Sequence, residues 1–376
     1  FMKIAILGTT WPFRGGLAAY NERLAREFIA QGHQVVIHTF SLQYPGFLFP
    51  GKTQLASWDK PSDLQIHEDV NSVNPFNWIK TGHRIRKGNP DLIVVKYWLP
   101  FMGPCFGTIL RIAKRNGAKV VSILDNIIPH ESRIGDRPFT NYFVGPVDAF
   151  IAQSRSVLAD TEEFDKHKPR KLNPHPVFDN FGKGLSKEDA CQYLGISSED
   201  NYILFFGFIR DYKGLDLLLE ALALRKVGSQ DVKVIVAGEF YSNEEKYLNL
   251  IERLGIEESV ILKTEFIADD EVRYYFSAAD VIVQPYKSAT QSGVTQIAYH
   301  FEKPMIVTNV GGLSEIVPHG VSGLICEPDS NSLATSIEQF FQGDQSRLIE
   351  GVKAEKKRFL WSTMVDSIIE MYNRAR

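Results

Sequence analysis

The sequence predicts an α/β protein with two doubly wound parallel-sheet domains. Short runs of valine, isoleucine and leucine alternate with amphipathic segments along most of the 376 residues, a pattern typical of parallel strands joined by helices. The alternation is interrupted between residues 168 and 184, where prolines and glycines cluster and a linker is expected. We therefore predict a first domain at 1–180 and a second at 181–357. The amphipathic segment 358–376 is expected to return to the first domain, and the two sheet edges are expected to face a central cleft.

The first elements indicate the topology. Residues 3–8 predict a strand, 17–31 an amphipathic helix that ends at a glycine, and 34–39 a second strand, which together imply a right-handed crossover. The connecting loop lacks the G-x-G-x-x-G spacing of a dinucleotide fingerprint. Its pair Gly15 and Gly16 indicates either a backbone that a ligand can approach closely or a tight turn.

The remaining elements follow the same alternation. Residues 41–63 are rich in aromatic side chains and are expected to form a long loop on the acceptor side. In the first domain we predict further strands at 64–67, 92–95, 119–124 and 148–154, with helices at 77–87, 101–115 and 154–167. In the second domain we predict strands at 203–206, 232–237, 260–262, 281–284 and 304–308, with helices at 214–226, 244–254, 270–278, 291–302 and from 331 onward.

The charge is unevenly distributed although the formal net charge is only −3. The first 171 residues are net basic and the remainder is net acidic. A basic half suits acidic lipid head groups or an anionic acceptor, and chance explains the asymmetry nearly as well. No dense basic patch with interleaved aromatic residues occurs, which argues against nucleic-acid binding.

Cysteine usage and hydropathy indicate a compartment. Cys105, Cys191 and Cys326 are widely spaced and match no metal-site pattern, so a reduced cytosolic environment is the simplest interpretation. The first strand is not followed by the long apolar segment of a signal peptide, and no apolar run reaches the length of a membrane span. We expect a cytoplasmic protein, with peripheral contact at the inner face of the membrane as an open alternative.

The segment around Gly207 is the first candidate site. A buried strand ends there, a short basic loop carries Arg210 and Lys213, and a helix follows from about Gly214. Free N–H groups at a helix start and two cations together attract an anion such as phosphate. The alternative is a solvated turn with two surface charges.

A second candidate lies at the end of the predicted strand 119–124. Asp125 and His130 follow that strand directly, and ligands of open α/β sheets bind beyond the carboxyl ends of strands. The alternative is a capping aspartate and a hydrogen-bonded loop histidine.

Several motifs occur in a fixed order along the chain, namely Gly15-Gly16, Asn126 to Glu131, Pro174 to Gly182, Gly207 to Gly214, Gln284-Pro285-Tyr286, Lys303-Pro304 and Gly311 to Glu315. Over nearly the whole chain, their order and spacing resemble family 4 of the retaining glycosyltransferases. This resemblance implies the GT-B architecture, in which two Rossmann-like domains hold an acceptor and a nucleotide-sugar donor, the donor in the second domain.

The resemblance also implies roles for individual residues. Arg210 and Lys213 would hold the donor diphosphate beside Gly207, and no Asp-x-Asp pair is placed to hold a metal. No cofactor besides the nucleotide-sugar co-substrate is therefore expected. The polar loop before the predicted helix 291–302 would hold phosphate and sugar, or would be an ordinary N-cap. Its residues are Thr290, Gln291, Ser292, Gly293 and Val294.

Further donor contacts follow from the same resemblance. Phe266 and Ile267 would receive the base through their backbone, while core packing is expected for their side chains. Glu315 would face the cleft or would merely occupy a helix terminus.

The chain also departs from the family pattern. Ala289 and Ile297 stand where relatives usually carry two glutamates, of which the second holds the ribose. Gln296, Gln291 or Thr290 would have to substitute. Phe208 replaces a common arginine, and Glu302 replaces a common glycine.

Despite these departures, the resemblance implies transfer of a sugar, with retention, from a UDP- or GDP-sugar to a hydroxyl of a glycan or lipid-linked acceptor in cell-surface polysaccharide synthesis. Two alternatives remain open. One is a sugar-nucleotide epimerase of the same fold. The other is a non-catalytic nucleotide-sugar-binding protein, which the loss of the glutamate pair favours.

Overall fold

The computed structural model describes residues 1–45, 55–56, 59–128, 135–224, 232–241, 243–289 and 292–375. The chain forms two compact units, of which the first is Phe1–His175 together with Trp361–Arg376 and the second is Pro176–Leu360. The change of unit therefore falls after residues 175 and 360, a few residues from the sequence-based bounds at 180 and 357.

The first unit, within the described residues, is built around a seven-stranded parallel sheet. Its strands are β1 Lys3–Leu7, β2 Gln34–Leu42, β3 Ile66–Asn71, β4 Leu92–Tyr97, β5 Lys119–Leu124, β6 Ala149–Ala152 and β7 Arg170–Leu172. Its helices before the change of unit are α1 Gly16–Ala30, α2 Pro75–Gly88, α3 Gly103–Ala113, α4 Asp136–Val144 and α5 Arg155–Asp160.

The second unit contains a six-stranded parallel sheet in the part of the chain that the structure describes. Its helices are α6 Lys187–Leu194, α7 Leu215–Leu224, α8 Glu244–Leu254, α9 Val272–Ala278, α10 Gly293–His300, α11 Leu313–Ile316, α12 Ser330–Gln342 and α13 Gln345–Lys356. Its strands are β8 Asn201–Phe206, β9 Val232–Ala237, β10 Val260–Lys263, β11 Val281–Gln284, β12 Met305–Thr308 and β13 Gly323–Cys326. The chain then returns to the first unit as α14 Trp361–Arg374.

Both sheets have the same doubly wound strand order. The first runs β3-β2-β1-β4-β5-β6-β7, and the second runs β10-β9-β8-β11-β12-β13. The order reverses between β1 and β4 in one sheet and between β8 and β11 in the other. Ligands of such sheets bind at the carboxyl ends of the strands beside the reversal. The prediction of two doubly wound α/β domains is confirmed.

Apolar residues cover both faces of each sheet, as expected for strands buried between helix layers. On one face of the first sheet, α14 packs Trp361, Met364 and Ile368 against α1 and the strands. Each of these buried side chains contributes about 1.5–3 kcal/mol of transfer free energy. The last helix is therefore part of the core of the first unit.

The chain passes between the two units twice. Within each unit, the residues that flank the two crossings are held close together. In the second unit, the backbone N–H of Val177 donates to the carbonyl of Phe359 at 2.8 Å. In the first unit, the rings of His175 and Trp361 each lie 5.0 Å from the ring of Tyr20 in an edge arrangement.

Two local predictions were wrong in part, and other elements were missed. The predicted linker 168–184 contains the change of unit after His175, but it also contains β7, which pairs through Arg170 with Phe150 of β6. The predicted helix 154–167 is α5 followed by one 3-10 turn that ends at Glu163. Helices α4 and α6 and strand β13 were not predicted, because each is short, at nine, eight and four residues.

Candidate functional site

The loop between β8 and α7 is held in place by backbone contacts. Gly207 has φ +95°, a conformation that favours glycine, and lets the chain turn directly after the strand. Ile209 then bridges to Phe240 and exchanges backbone hydrogen bonds with Glu239 and Tyr241, at 2.9 and 3.1 Å. The loop is therefore fixed against the segment that follows β9.

The carboxylates of this region are occupied by other cations. Asp211 accepts from Lys246 at 2.8 Å and from the Tyr247 hydroxyl at 3.1 Å, and these interactions lower the pKa of Asp211. Asp216 at the start of α7 accepts from Lys287 at 2.6 Å. Neither Asp211 nor Asp216 forms an ion pair with Lys213, the lysine of this loop.

Lys213 is a half-buried cation in this loop. A Cβ atom built on Gly207 would stand 3.1 Å from its ammonium, and the centre of the Tyr286 ring lies 5.9 Å away. No carboxylate of the described ranges lies within ion-pair distance of it. Burial, reinforced by the positive charge of Arg210, lowers the pKa of Lys213 to about 8. An anion bound here would offset both the burial of the Lys213 ammonium and its repulsion by Arg210.

Arg210 points differently from the expectation that both cations would grip one phosphate. Its guanidinium lies 3.9 Å from the centre of the exposed Tyr241 ring, a cation–π distance. Its charge nevertheless acts on Lys213, so the two side chains share one positive field.

The amino end of α10 lies beside the same ammonium. A Cβ on Gly207 would also stand 4.0 Å from Val294, and Gly293 is exposed at the helix start. The hydroxyl of Ser292 accepts from the backbone N–H of Val294 at 3.2 Å, so Ser292 is the N-cap. Thr290 and Gln291, predicted members of this loop, lie outside the described residues. Gly207, Lys213 and the amino end of α10 thus meet at the carboxyl ends of β8 and β11.

Ile297 and Ala289, which stand where relatives usually carry glutamates, are enclosed by the second unit, as is Gln296. Ile297 is 7 % exposed and packs in the core of the second unit, and Ala289 is half-buried against the same core. Gln296 is 3 % exposed, and its Oε1 accepts no hydrogen bond within the described part of the chain.

Phe266 and Glu315 lie at the surface of the second unit. Phe266 is 73 % exposed, so core packing of its side chain was a wrong expectation, whereas Ile267 is half-buried against the core as expected. Glu315 is exposed in the first turn of the four-residue helix α11.

The pair Gly15 and Gly16 begins α1 in the first unit. Gly15 is the N-cap with φ +104°, and Gly16 is the first helical residue. A Cβ atom added at either glycine would meet nothing within 4 Å. The backbone there is open, as a closely approaching ligand would require.

Asp125 lies at the carboxyl end of β5 and is part of a buried polar cluster. Lys96 of β4, only 2 % exposed, donates to Asp125 Oδ1 at 2.5 Å and to Gln153 Oε1 at 3.1 Å. Its ammonium also lies 3.8 Å from the centre of the Tyr20 ring, and Gln153 donates to the Tyr20 hydroxyl at 3.2 Å. Burial lowers the pKa of Lys96 and the charge of Asp125 opposes this. His130, the predicted partner of Asp125, lies outside the described residues.

Sequence reasoning missed Lys96 and Gln153, although a signal was present. Lys96 is the one charged residue in the run from Leu92 to Tyr97, which is otherwise entirely apolar or aromatic. The register pairs Lys96 with Ile123, so its side chain reaches Asp125 two residues further along. A charge in a buried strand beside an aspartate at a neighbouring strand end indicates an ion pair.

No group of three or more histidine, cysteine, aspartate or glutamate side chains among the described residues is arranged to hold a metal ion. None of the helices that the structure describes is long and apolar enough to cross a membrane.

Both halves of the chain are similar to known glycosyltransferases. Residues 186–357 match the model of "Glycosyl transferases group 1", and residues 14–174 match that of "Glycosyltransferase Family 4". An uncharacterized glycosyltransferase of Methanocaldococcus jannaschii, MJ1178, is 31% identical, and the match covers 99% of this chain and 98% of that protein. A D-inositol 3-phosphate glycosyltransferase of Frankia alni is 25% identical, with 96% of this chain and 95% of that protein covered.

The same fold occurs among solved structures. Anabaena Alr3699/HepE in complex with UDP superposes with a TM-score of 0.68 at 19% identity, covering 99% of this chain and 100% of that chain. This likeness shows a shared GT-B fold. The relative that is 31% identical and the two family models show that the chain belongs to family 4 of the glycosyltransferases.

Proposed function

We propose that this glycosyltransferase transfers a sugar, with retention of anomeric configuration and without a metal ion, from a UDP- or GDP-sugar to a hydroxyl of a glycan or lipid-linked acceptor. A role in cell-surface polysaccharide synthesis follows from that acceptor class. The observation that carries the proposal is the ammonium of Lys213. It is half-buried, has no described carboxylate partner and lies beside Gly207 and the amino end of α10.

A diphosphate suits this position for physical reasons. As the bond between the sugar C1 and the phosphate oxygen breaks, negative charge grows on the leaving nucleoside diphosphate. A fixed ammonium and free N–H groups at a helix start stabilise that charge, and one such donor is worth about 3–4 kcal/mol. A UDP-bound structural neighbour makes a UDP-sugar the first donor to test.

The proposed step needs no protein nucleophile. The acceptor oxygen forms a bond to C1 on the face from which the diphosphate leaves. The hydroxyl proton passes to an oxygen of the departing phosphate, and nucleoside diphosphate is released. The protein contributes orientation and charge stabilisation.

The first unit would hold the acceptor side of the reaction. The open backbone at Gly15 and Gly16 would admit a phosphate or sugar. Asp125 keeps one oxygen on Lys96, and its side chain remains 25% exposed, so its second oxygen would accept from a sugar hydroxyl. This assigns Asp125 to binding rather than to proton transfer.

The test combines binding with turnover. Titration calorimetry with UDP and GDP, followed by transfer assays with candidate UDP- and GDP-sugars, would compare wild type with Lys213→Ala and Arg210→Ala. We expect Lys213→Ala to weaken diphosphate binding by at least tenfold and to lower turnover further. Lys353→Ala, which removes an exposed lysine paired with Glu350, is the matched control. Unchanged binding and turnover in Lys213→Ala would overturn the assignment.

Two further measurements address the finer claims. The anomeric configuration of the product, read by NMR from an α-linked donor, tests retention. Transfer in the presence of EDTA tests independence from metal ions.

A non-catalytic nucleotide-sugar binder is a second candidate. It is favoured by the burial of Ile297 and Ala289, since no carboxylate can act from these positions. Nucleotide binding without transfer to any acceptor would support it. Conversion of the donor sugar without an acceptor would instead indicate an epimerase.

A further inference from the structure

Helix α2 of the first unit has one face that the rest of the unit leaves uncovered. Asn74 caps the helix start by accepting from the N–H groups of Phe76 and Asn77, and Pro75 occupies the first turn. On the inner face, Asn77 and Thr81 donate to the carbonyl of Asp69, and a Cβ on Gly82 would stand 2.8 Å from Ile112 of α3. Strand β3 and helix α3 therefore occupy the inner side.

The outer side begins with exposed apolar residues. Phe76 is 84 % exposed, and Val73 and Ile79 are each 44 % exposed. Phe76 and Ile79 are three residues apart in α2, so they lie on neighbouring parts of one helical face, and Val73 directly precedes the N-cap Asn74. Three large apolar side chains so close together form a patch rather than the scattered exposure that is normal for a surface.

Basic residues continue the same face. Lys80, His83 and Lys87 follow Phe76 by four, seven and eleven residues. At 100° per residue, all four side chains start within one sector of about 60° around the helix axis. That line is about 16 Å long at the rise of an α-helix. The segment Pro75–Gly88 contains no aspartate or glutamate.

Two of these cations are available for a partner. Arg84 donates to Asp69 at 2.9 Å and Arg86 to Asn116 at 2.7 Å, so those two basic groups are already engaged. Lys80 and Lys87 are exposed, and neither forms an ion pair with any described residue. The apolar end and the basic end thus share one accessible surface.

We propose that the outer face of α2, formed by Phe76, Ile79, Lys80, His83 and Lys87, binds the surface of an anionic lipid bilayer together with Val73, which precedes the helix. Apolar side chains beside unpaired lysines match the layered chemistry of such a surface, where acyl chains lie beneath negative head groups. A nucleic acid would use the lysines but would leave Phe76 and Ile79 in water. The surface lies in the first unit, so it would bind lipid whether or not Lys213 in the second unit binds a diphosphate.

The test is co-sedimentation of the full-length protein with vesicles, without any donor. We expect binding to phosphatidylcholine vesicles that contain phosphatidylglycerol, at a level that rises with the anionic fraction and falls at high salt because charges are screened. Phe76→Ser/Ile79→Ser and Lys80→Glu/Lys87→Glu are each expected to lower the partition coefficient by about tenfold or more.

Matched variants of the second unit serve as controls. Leu248→Ser removes an apolar residue of α8 that is also exposed, and Lys353→Glu reverses an exposed lysine of α13; both are expected to bind like wild type. Circular dichroism and thermal melting of every variant would establish folding, and Lys80→Arg/Lys87→Arg would retain binding. No binding by wild type, equal binding to pure phosphatidylcholine, or α2 variants that bind like wild type would each overturn the proposal.

Discussion

The ammonium of Lys96 lies 2.5 Å from Asp125 Oδ1, and this ion pair joins the carboxyl ends of β4 and β5. Lys96 is almost fully enclosed, whereas Asp125 is partly exposed. Asp125 therefore neutralises the buried charge of Lys96, whether or not it also contacts a substrate. A substitution of Asp125 has to be judged on stability as well as on turnover.

Asp125→Asn should destabilise the first unit strongly. It leaves a buried ammonium without a carboxylate, a change that costs about 3–5 kcal/mol in comparable cases. The midpoint of urea unfolding measures the loss. Asp63→Asn, which breaks the exposed pair with Arg26, should cost less than about 1 kcal/mol. Equal losses in both variants would contradict the role of the buried pair. Restoration of stability by the double change Asp125→Leu/Lys96→Met would support it.

Diphosphate affinity should fall as the pH rises through about 8. Only the protonated form of Lys213 attracts an anion, and the pKa of Lys213 is lowered to about 8 by burial and Arg210. Calorimetry with UDP between pH 7 and pH 9.5 should show a loss of about tenfold, the scale of one charge-assisted hydrogen bond. Binding near pH 8 should also take up protons. Arginine stays charged throughout this range, so Lys213→Arg should flatten the profile. The same slope in both proteins would assign the titration to another group.

Gly16→Ala should separate ligand approach from folding. The added methyl group meets nothing within 4 Å, so the free energy of unfolding should stay within about 0.5 kcal/mol of wild type. Transfer activity should fall by about tenfold or more if a ligand contacts this backbone. Gly88→Ala, at an equally open glycine at the end of α2, is the control and should change neither quantity. Full activity in Gly16→Ala would show that no ligand comes close to this glycine.

Ile297→Glu should destabilise the second unit rather than restore a family contact. The residue packs in the core, and an unpaired carboxylate there costs about 3 kcal/mol or more. Thermal melting measures this effect, with Ile297→Leu as the volume-conserving control. Tighter UDP binding at an unchanged melting temperature would show instead that the side chain reaches the donor.

Most of the strands were predictable because they are runs of apolar residues that are largely buried. Strand β4 is the clearest example, since every one of its residues is buried. Strand β7 escaped prediction because Arg170, Lys171 and Leu172 are only half-buried and carry no apolar run. Its place in the sheet comes from pairing with β6, a tertiary contact that local composition does not encode.

The basic loop of the candidate site was predictable in position but only partly in detail. The loop of Arg210 and Lys213 was located by the strand, turn and helix pattern around Gly207. The different surroundings of the two cations were not predictable, because they depend on contacts with distant parts of the chain, such as that of Arg210 with Tyr241. Asp211 and Asp216 are close in sequence to Lys213 but pair with Lys246 and Lys287, which come from distant parts of the chain. Likewise, the exposure of Phe266 depends on how its loop leaves β10, and an aromatic residue alone does not indicate it.

The two crossings between the units make the second unit an insertion in the chain of the first. Its ends meet through Val177 and Phe359, and the flanking residues His175 and Trp361 both rest on Tyr20. The gene segment for 176–360 could therefore be excised in one piece, with a few residues of spacer closing the gap it leaves. The same proximity would allow the second unit to be circularly permuted without disturbing either sheet.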